Sequence, residues 1–423
     1  MESSMPTIDY ANLRHVNIAW AAIAEPADKT AGAARQLLGA GRALEAAVRG
    51  YPLPLRARER IPTEGFFEQL AVAWKKSLET WQARLSQLDL PQILGDSDSL
   101  GVSIITQGEE DWPERLDDLE FSAPSAIWVA GDRSILHQKA NLAFVGSRDC
   151  SETARSVTSK IAKQAAEHGI VVTSGGALGV DAAAHAGALQ GAPIRRGVSA
   201  RLTSVEATNS LPVSEACGGT VAVLCGGLAR LYPASNEPLF LEIQHRGALI
   251  SESPPHWRPA KWRFKQRNRL IAALAQATIV SEAARRSGAL STAHAALELG
   301  RNVGAIPGSV ASEKTVGSND LLRQGASVVT GIQDALDLLG NFLPEIESSR
   351  KMSGKSAGHS GGEPGNLNPI EERVYAALPF TGCAQVEELV VEAGLSGKEI
   401  STALYSLQLQ GLVGREAGGW KRR

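Results

Sequence analysis

The stretch LAFVGSRDCSETARSVTSKIAKQAAEHGIVVTSGGALGVDAAAH, residues 142–185, contains two short β-rich runs separated by a helical segment. Ser151 is placed to cap that helix, and each β-rich run ends in a turn that contains glycine. Further β-rich runs occur at 102–106, 126–130, 220–225, 248–253, 278–282 and 302–307, again alternating with helical segments. This alternation predicts an α/β fold with a Rossmann-like parallel sheet flanked by helices, which would bind ligands at the carboxyl ends of its strands.

The pattern divides the chain into four regions. Residues 1–100 are predicted to be an N-terminal helical region, because their apolar residues recur at three- and four-residue spacing. Residues 101–340 carry the α/β pattern, and residues 341–367 are rich in serine and glycine, which predicts a flexible linker. Residues 368–423 combine three amphipathic segments with a short hairpin and therefore predict a winged-helix domain.

Composition limits the classes of function. The 423 residues include 43 basic and 45 acidic side chains, so the net charge is -2. This near-neutral total argues against a chain that coats nucleic acid everywhere, but it allows a local basic groove. The four cysteines form no C-x-x-C pair, so we expect neither a zinc site nor a disulfide framework. No secretory signal or membrane-spanning stretch is visible, so the expected location is cytoplasmic.

Three glycine-containing turns follow predicted strands, at 146–148, 174–185 and 225–227. Glycine lets the backbone approach an anion, and the start of a following helix offers free N–H groups. The turns therefore favour an anion site, although tight strand-to-helix turns need glycine for structural reasons too. None of them is a full G-x-G-x-x-G fingerprint. At 308–315 the sequence nearly matches a P-loop, but Glu313 replaces the second glycine, so no ATPase is predicted.

Motifs of hydrolytic catalysis are missing, since no predicted strand leads into a G-x-S-x-G elbow and the sequence contains no H-E-x-x-H pair. Ser174, Asp181 and His185 are the one conceivable triad. We interpret Asp181 as an anchor of its loop and His185 as a helix-face residue. No catalytic residue, metal site or cofactor is predicted.

The segment HWRPAKWRFKQRNRL, residues 256–270, concentrates basic and aromatic side chains without any acid. Its cations are Arg258, Lys261, Arg263, Lys265, Arg267 and Arg269, interleaved with Trp257, Trp262 and Phe264. Single-stranded nucleic acids are bound by this mixture, because cations follow the phosphates while aromatic faces stack on unpaired bases. The structural alternative is a solvated basic loop whose aromatic rings pack inward.

The order of six motifs resembles the DNA-processing protein A (DprA/Smf) family. They are AFVGSR, SGGALGVDAAAH, GGTVAVLCGGLARLYPASN, FKQRNRLIAALA, SEAARRSGALSTAHAALELGRNVGAIPG and GSNDLLRQGA. The resemblance implies an extended Rossmann-like domain that binds single-stranded DNA, usually as a homodimer. It also implies loading of the RecA recombinase onto incoming strands during natural transformation, without an enzymatic activity.

The same resemblance implies a set of DNA-binding residues. Arg148 is expected at the phosphates, Lys261 at the DNA backbone and Phe264 on a base. The glycine loop contributes Ser174, Gly175 and Gly179, and the R-N-R motif contributes Arg267, Asn268 and Arg269. An insertion at 191–216 separates a predicted helix from the next strand, so we expect it at the sheet edge opposite the site.

Two alternatives share the same fold. A nucleotide phosphoribohydrolase would need a P-G-G-x-G-T-x-x-E loop, which the sequence lacks. A nucleotide-binding sensor would use the groove for a small signal and the winged helix as a regulator. The basic and aromatic segment favours single-stranded DNA over both, because a small ligand does not need six cations.

Overall fold

The structure is a computed structural model that describes residues 8–60, 65–192, 219–340, 369–379, 384–397, 400, 403–404, 406–407, 412–416 and 419–422. The chain forms two compact units that divide near residue 346. The predicted linker at 341–367 and residues 193–216 of the predicted insertion lie outside the described residues.

In the part of the chain that the structure describes, five α-helices precede the sheet. They are α1 (Leu13–Ile23), α2 (Lys29–Leu38), α3 (Ala40–Val48), α4 (Phe66–Leu85) and α5 (Leu90–Ser99). Three buried tryptophans join α1 to α4: Trp81 packs edge-to-face on Trp20 at 5.2 Å and on Trp74 at 5.1 Å between ring centroids. The Asp28 carboxylate caps α2 and also accepts the Trp81 indole N–H. The aromatic cluster thus explains the tryptophans of this region as core residues.

The described residues form one nine-stranded sheet in the larger unit. Its strands are β1 (Ser103–Thr106), β2 (Ala126–Gly131), β3 (Asn141–Val145), β4 (Val171–Ser174), β5 (Gly219–Leu224), β6 (Ala248–Ser251), β7 (Ala277–Val280), β8 (Asn302–Ala305) and β9 (Ser327–Val328). The strand order is β1-β2-β6-β5-β4-β3-β7-β8-β9. The eight predicted strands are confirmed as β1 to β8. Strand β9 was not predicted, because two exposed residues carry no periodic signal.

The predicted parallel sheet is confirmed for the strands from β6 to β9, and the sheet has an antiparallel edge at β1 and β2. Strand β2 pairs antiparallel with both β1 and β6, whereas all pairs from β6 to β9 are parallel. The connection from β1 to β2 contains a 3-10 helix, Glu114–Ser122, in place of a crossover α-helix. Without a crossover the chain returns beside β1 in the opposite direction.

Helices flank the parallel strands and alternate with them along the chain. They are α6 (Glu152–Glu167), α7 (Val180–Gly191), α8 (Glu237–Arg246), α9 (Lys261–Leu274), α10 (Ala289–Glu298), α11 (Val316–Arg323) and α12 (Ile332–Leu339). The predicted cap is confirmed, since the Ser151 hydroxyl accepts the Ala154 N–H. From β3 the chain adds β4, β5 and β6 on one side and then returns to β7 on the other side. This reversal opens a crevice at the carboxyl ends of β3 and β7, where sheets of this class bind ligands.

The smaller unit contains α13 (Pro369–Ala377), α14 (Val386–Ala393) and a hairpin of β10 (Val413–Glu416) with β11 (Gly419–Arg422). Val374, Leu389, Leu404 and Trp420 are buried together and form its core. The third predicted amphipathic segment is described only in part, and its described residues Leu404 and Leu407 are fully buried. Two helices that pack with a C-terminal hairpin agree with the predicted winged helix.

Candidate nucleic-acid interface

The three glycine turns are packed against other segments of the protein. A Cβ atom on Gly175 would lie 2.5 Å from Cζ of Arg267, and one on Gly179 would lie 2.6 Å from the Arg148 carbonyl oxygen. A Cβ atom on Gly227 would overlap the carbonyl oxygens of Pro254 and Pro255. Close approach by protein atoms therefore explains these glycines, which favours the structural alternative over an open anion cradle at each turn.

The N-terminus of α6 is already occupied by a carboxylate of the protein. Glu282, which follows β7, accepts the Ser151 hydroxyl at 2.6 Å and the Ser151 N–H at 3.1 Å. Its carbonyl oxygen accepts the Ser147 N–H at 2.8 Å. In many Rossmann-like folds this helix end binds a phosphate, but here the Glu282 carboxylate already occupies it.

Arg267 lies beneath the second glycine turn and is only 5% exposed. Its Nη1 donates to the carbonyl oxygen of Gly175 at 2.6 Å and also to that of Val223. Nearby, the Asp181 carboxylate accepts the Ala177 N–H at 3.3 Å, as expected for an anchor of the loop. Burial raises the pKa of Asp181, although Arg267 and the Ala177 N–H act in the opposite direction. These contacts hold the second glycine turn in place from the protein interior.

His185 belongs to the same buried layer and is held as a neutral imidazole. Its Nδ1 lies 2.7 Å from the Thr220 hydroxyl oxygen, and that hydroxyl donates to the Val172 carbonyl at 2.7 Å. The Thr220 hydroxyl has one proton, so Nδ1 must be the donor to its oxygen. Burial, with a contribution from Arg267, lowers the pKa of His185 to about 3. The Ser174 hydroxyl meanwhile donates to the Phe144 carbonyl at 2.6 Å. These contacts give all three triad candidates structural roles.

A surface cluster joins the exposed Arg148 and Tyr232 to the partly buried Phe264. The Arg148 Cζ is 4.8 Å from the centroid of the Phe264 ring, and the Tyr232 ring meets Phe264 edge-on at 5.7 Å. The Arg148 side chain is exposed, and it makes no hydrogen bond or ion pair with the described residues. The cluster joins the turn after β3, the loop after β5 and the start of α9.

One face of α9 continues this cluster. Lys261, Phe264, Lys265 and Asn268 are spaced three and four residues apart, which places them on the same side of the helix. Both lysines are exposed, and no carboxylate in the described part of the chain pairs with either. Asn268 donates to the Ser291 hydroxyl at 2.8 Å and thereby ties α9 to α10. The face therefore combines free cations with an aromatic ring.

Two arginines of the R-N-R motif, which were expected to bind DNA, are buried in the structure. Arg267 faces carbonyl oxygens as described above, and Arg269 forms an ion pair with Glu252 at 2.6 Å, with side chains 10% and 6% exposed. Neither guanidinium is presented to solvent where a phosphate could reach it. The sequence could not reveal this, because Arg269 pairs with a carboxylate outside the 256–270 segment. Ser174 and Gly175 are also buried, so they support the surface from below.

Comparison with known proteins adds an independent observation. Residues 103–340 match the family described as DNA recombination-mediator protein A, and residues 361–419 match the DprA winged helix domain. This chain belongs to the DprA/Smf family. The predicted winged helix is thereby confirmed.

Several DprA proteins are similar to this chain over much of their length. The putative DNA processing protein DprA of Mycobacterium tuberculosis is 34% identical over 336 residues, which are 76% of this chain and 77% of the relative. The DNA processing protein DprA of Streptococcus pneumoniae is 36% identical over 216 residues, 51% of this chain and 67% of the relative. The X-ray structure of DprA from Streptococcus pneumoniae is 30% identical, with a TM-score of 0.52 over 67% of this chain and 90% of that chain.

Two arginines that sequence reasoning missed lie beside the candidate surface. Arg285 and Arg286 are exposed in the loop after β7, and they pair with no carboxylate among the described residues. Asn268 donates to the carbonyl of Gly288 at 3.2 Å, which holds this loop against the α9 face. The available signal was the pair of adjacent arginines directly after a predicted strand. Periodicity does not give the strand order that brings this loop to the crevice.

No helix in the described ranges is both long enough and apolar enough to cross a membrane. The same ranges contain no group of three His, Cys, Asp or Glu side chains arranged to hold a metal ion.

Proposed function

We propose that this DprA-family protein binds single-stranded DNA along the carboxyl edge of its sheet. The observation that carries the proposal is the exposed Arg148, which lies on the Phe264 ring without a protein acceptor in the described residues. Lys261 and Lys265 add two unpaired cations on the same face of α9. In this arrangement Arg148 and the lysines contact phosphates, and Phe264 stacks on a base.

Selection of single strands follows from the aromatic part of the cluster. A ring can stack on a base face only when that base has left its duplex, and such stacking contributes about 1–3 kcal/mol per base. Tyr232 is 49% exposed and meets Phe264 edge-on, so it extends the aromatic surface toward the loop after β5. The cations alone would bind duplex and single strand through the phosphates of both. The aromatic rings therefore provide the preference for single strands over duplex.

The buried residues of the site position the exposed ones. Arg267 clamps the second glycine turn through Gly175, and Gly179 packs against the backbone of Arg148. Asn268 fixes the loop that carries Arg285 and Arg286. A change in this layer is expected to move Arg148 or the loop, and to weaken binding indirectly.

The wider role that we propose is that of a recombination mediator. The protein would protect incoming or exposed single strands and help to load RecA recombinase, as a cytoplasmic homodimer without catalytic activity. Support comes from membership of a family described as DNA recombination-mediator protein A and from relatives named DNA processing proteins. The setting would be natural transformation or recombination.

The nucleotide-binding alternatives receive less support from the site. Glu282 fills the N-terminus of α6, so a nucleotide phosphate at that helix end would meet a carboxylate at hydrogen-bonding distance from Ser151. A phosphoribohydrolase would release free base from nucleotides, which chromatography after incubation detects directly. Such release would favour the enzyme over the binding protein.

The proposal is tested by fluorescence-anisotropy titration of labelled oligo(dT) and of its duplex. We expect tighter binding of the single strand, and a loss of that binding when Arg148→Gln and Phe264→Ala are combined. Arg323→Gln is the matched control, because this arginine is exposed on α11 and pairs with Asp320 within its own helix. Equal affinity for single strand and duplex, or an unchanged affinity in the double variant, would contradict the proposed site.

A further inference from the structure

Trp262 is the second residue of α9, and 57% of its surface is exposed. An exposed indole of this size is unusual, since tryptophan is among the most buried side chains on average. Its Nε1 donates to a carboxylate oxygen of Glu25 at 3.3 Å, and the Arg263 Cζ lies 5.8 Å from its ring centroid. The ring is therefore held in one place while much of it stays open to solvent.

The anchor of Trp262 comes from the N-terminal helices. Glu25 lies between α1 and α2 and accepts Nε and Nη2 of Arg263 at 3.0 and 2.9 Å. Arg84, from α4, donates to the same carboxylate. Burial alone would raise the pKa of Glu25, but the hydrogen bonds from Arg263 and Arg84 outweigh it and hold that pKa below its ordinary value. The carboxylate therefore stays ionised, and it fixes Trp262 before any ligand arrives.

The surroundings of the indole suit a nucleic-acid strand. Arg258 and Lys261 are exposed on either side in the sequence, and neither pairs with a carboxylate in the residues described. The N-cap residue of α9 is Ala260, which makes no side-chain cap hydrogen bond, so the N–H groups of Lys261 and Trp262 have no capping side chain and can meet an anion. A pre-positioned ring loses little conformational freedom on binding, which favours stacking.

Helical geometry relates this ring to the proposed site. Trp262 and Phe264 are two residues apart, so they lie on roughly opposite sides of α9. Lys261 lies at the start of the helix, on the side of Phe264. A strand that touches both rings must cross the start of α9, where Lys261 and the free N–H groups can meet its phosphates.

We propose that Trp262 is a second base-stacking platform for single-stranded DNA. The strand would continue from Phe264 across the start of α9 onto a surface that the N-terminal helical region completes through Glu25. This inference rests on the proposed function, and it assigns the N-terminal helices a part in binding.

Quenching of tryptophan fluorescence on titration with oligo(dT) tests the platform, with anisotropy measured in parallel. Trp262→Ala should weaken binding of long oligonucleotides by about 5- to 150-fold, the loss of one stacked base. Short oligonucleotides that reach only Phe264 should bind this variant as they bind the wild type. Trp262→Phe keeps a stacking ring, so it should retain most of the affinity while losing most of the quenching. Leu297→Ala, a change at an exposed apolar residue of α10, is the control.

The outcomes separate this inference from the proposed function. Unchanged affinity of Trp262→Ala at every length, with undiminished quenching in Trp262→Phe, would overturn the second platform. If the Arg148 and Phe264 variants still lose binding in that case, the first site stands alone. If the wild type binds no single strand at all, the proposed function fails and the platform fails with it.

Discussion

Replacing Gly175 with alanine tests whether Arg267 is a buried clamp of the glycine loop. The added Cβ atom would lie 2.5 Å from Cζ of Arg267 and still closer to both terminal nitrogens. The guanidinium cannot move without losing hydrogen bonds, because its Nη1 donates to the carbonyl oxygens of both Gly175 and Val223. Only 5% of Arg267 is exposed, so water cannot replace these acceptors. The variant must therefore strain the loop or break these hydrogen bonds.

The expected cost follows from these contacts. Forcing an extra methyl group into a packed interior costs about 1–3 kcal/mol, and a lost hydrogen bond to a charged group costs about 1.5–3 kcal/mol. The two costs overlap, because movement of the guanidinium relieves part of the clash. We therefore expect the free energy of unfolding to fall by roughly 2–5 kcal/mol.

Urea unfolding followed by tryptophan fluorescence measures this loss in the full chain. Seven of the eight tryptophans precede residue 346, so the signal reports mainly on the larger unit. Gly288→Ala is the matched control, since a Cβ atom there meets nothing within 4 Å and the backbone has a helical φ of -61°. Equal unfolding midpoints for the two variants would refute the clamp.

Three other predictions concern charge. Arg285→Gln combined with Arg286→Gln should reduce the dependence of log K on log salt by about 1.4 for single strands if both contact phosphates; an unchanged slope in salt titrations would exclude them. His185 has a pKa lowered to about 3 from 6.5, so stability that is complete above 6.5 falls as the pH drops toward 3, by up to about 1.4 kcal/mol per pH unit. His185→Gln should lack this decline when urea unfolding is compared across that range, and a decline as steep as in wild type would contradict the buried neutral imidazole. Arg269→Met alone should cost about 3–5 kcal/mol, whereas Arg269→Met with Glu252→Leu should recover most of that stability. The double variant should also keep its affinity for oligo(dT). Loss of that affinity in a folded protein would indicate that Arg269 contacts DNA phosphates.

Local sequence patterns were sufficient for much of the fold. Strands β1 to β8 and the Ser151 cap are encoded within short windows, because strand and cap signals depend on neighbouring residues. Strand order and direction depend on contacts between distant segments. The antiparallel edge formed by β1 and β2, and the two-residue β9, were therefore beyond this reasoning.

In the candidate site, too, local patterns predict some features, whereas contacts between distant segments decide others. Arg148 follows β3, and Phe264 lies in the first turn of α9. The two side chains meet because β3 ends and α9 begins at the same edge of the sheet, which the α/β pattern predicts. The burial of Arg269 depends on Glu252, and that of Arg263 on Glu25, which lies more than two hundred residues away in the chain. A run of arginines reveals the number of charges, but not which of them the folded protein neutralises.

Photochemical cross-linking of oligonucleotides that carry 5-iododeoxyuridine, followed by mass spectrometry, tests the central claim most directly. It identifies which side chains lie against a base in the full-length complex. Cross-links at Phe264 or Tyr232, lost when Arg148→Gln removes the neighbouring cation, are the predicted result. Efficient cross-linking confined to residues 369–422, with none on α9 or the loop after β5, would contradict a single-stranded-DNA site at the carboxyl edge of the sheet.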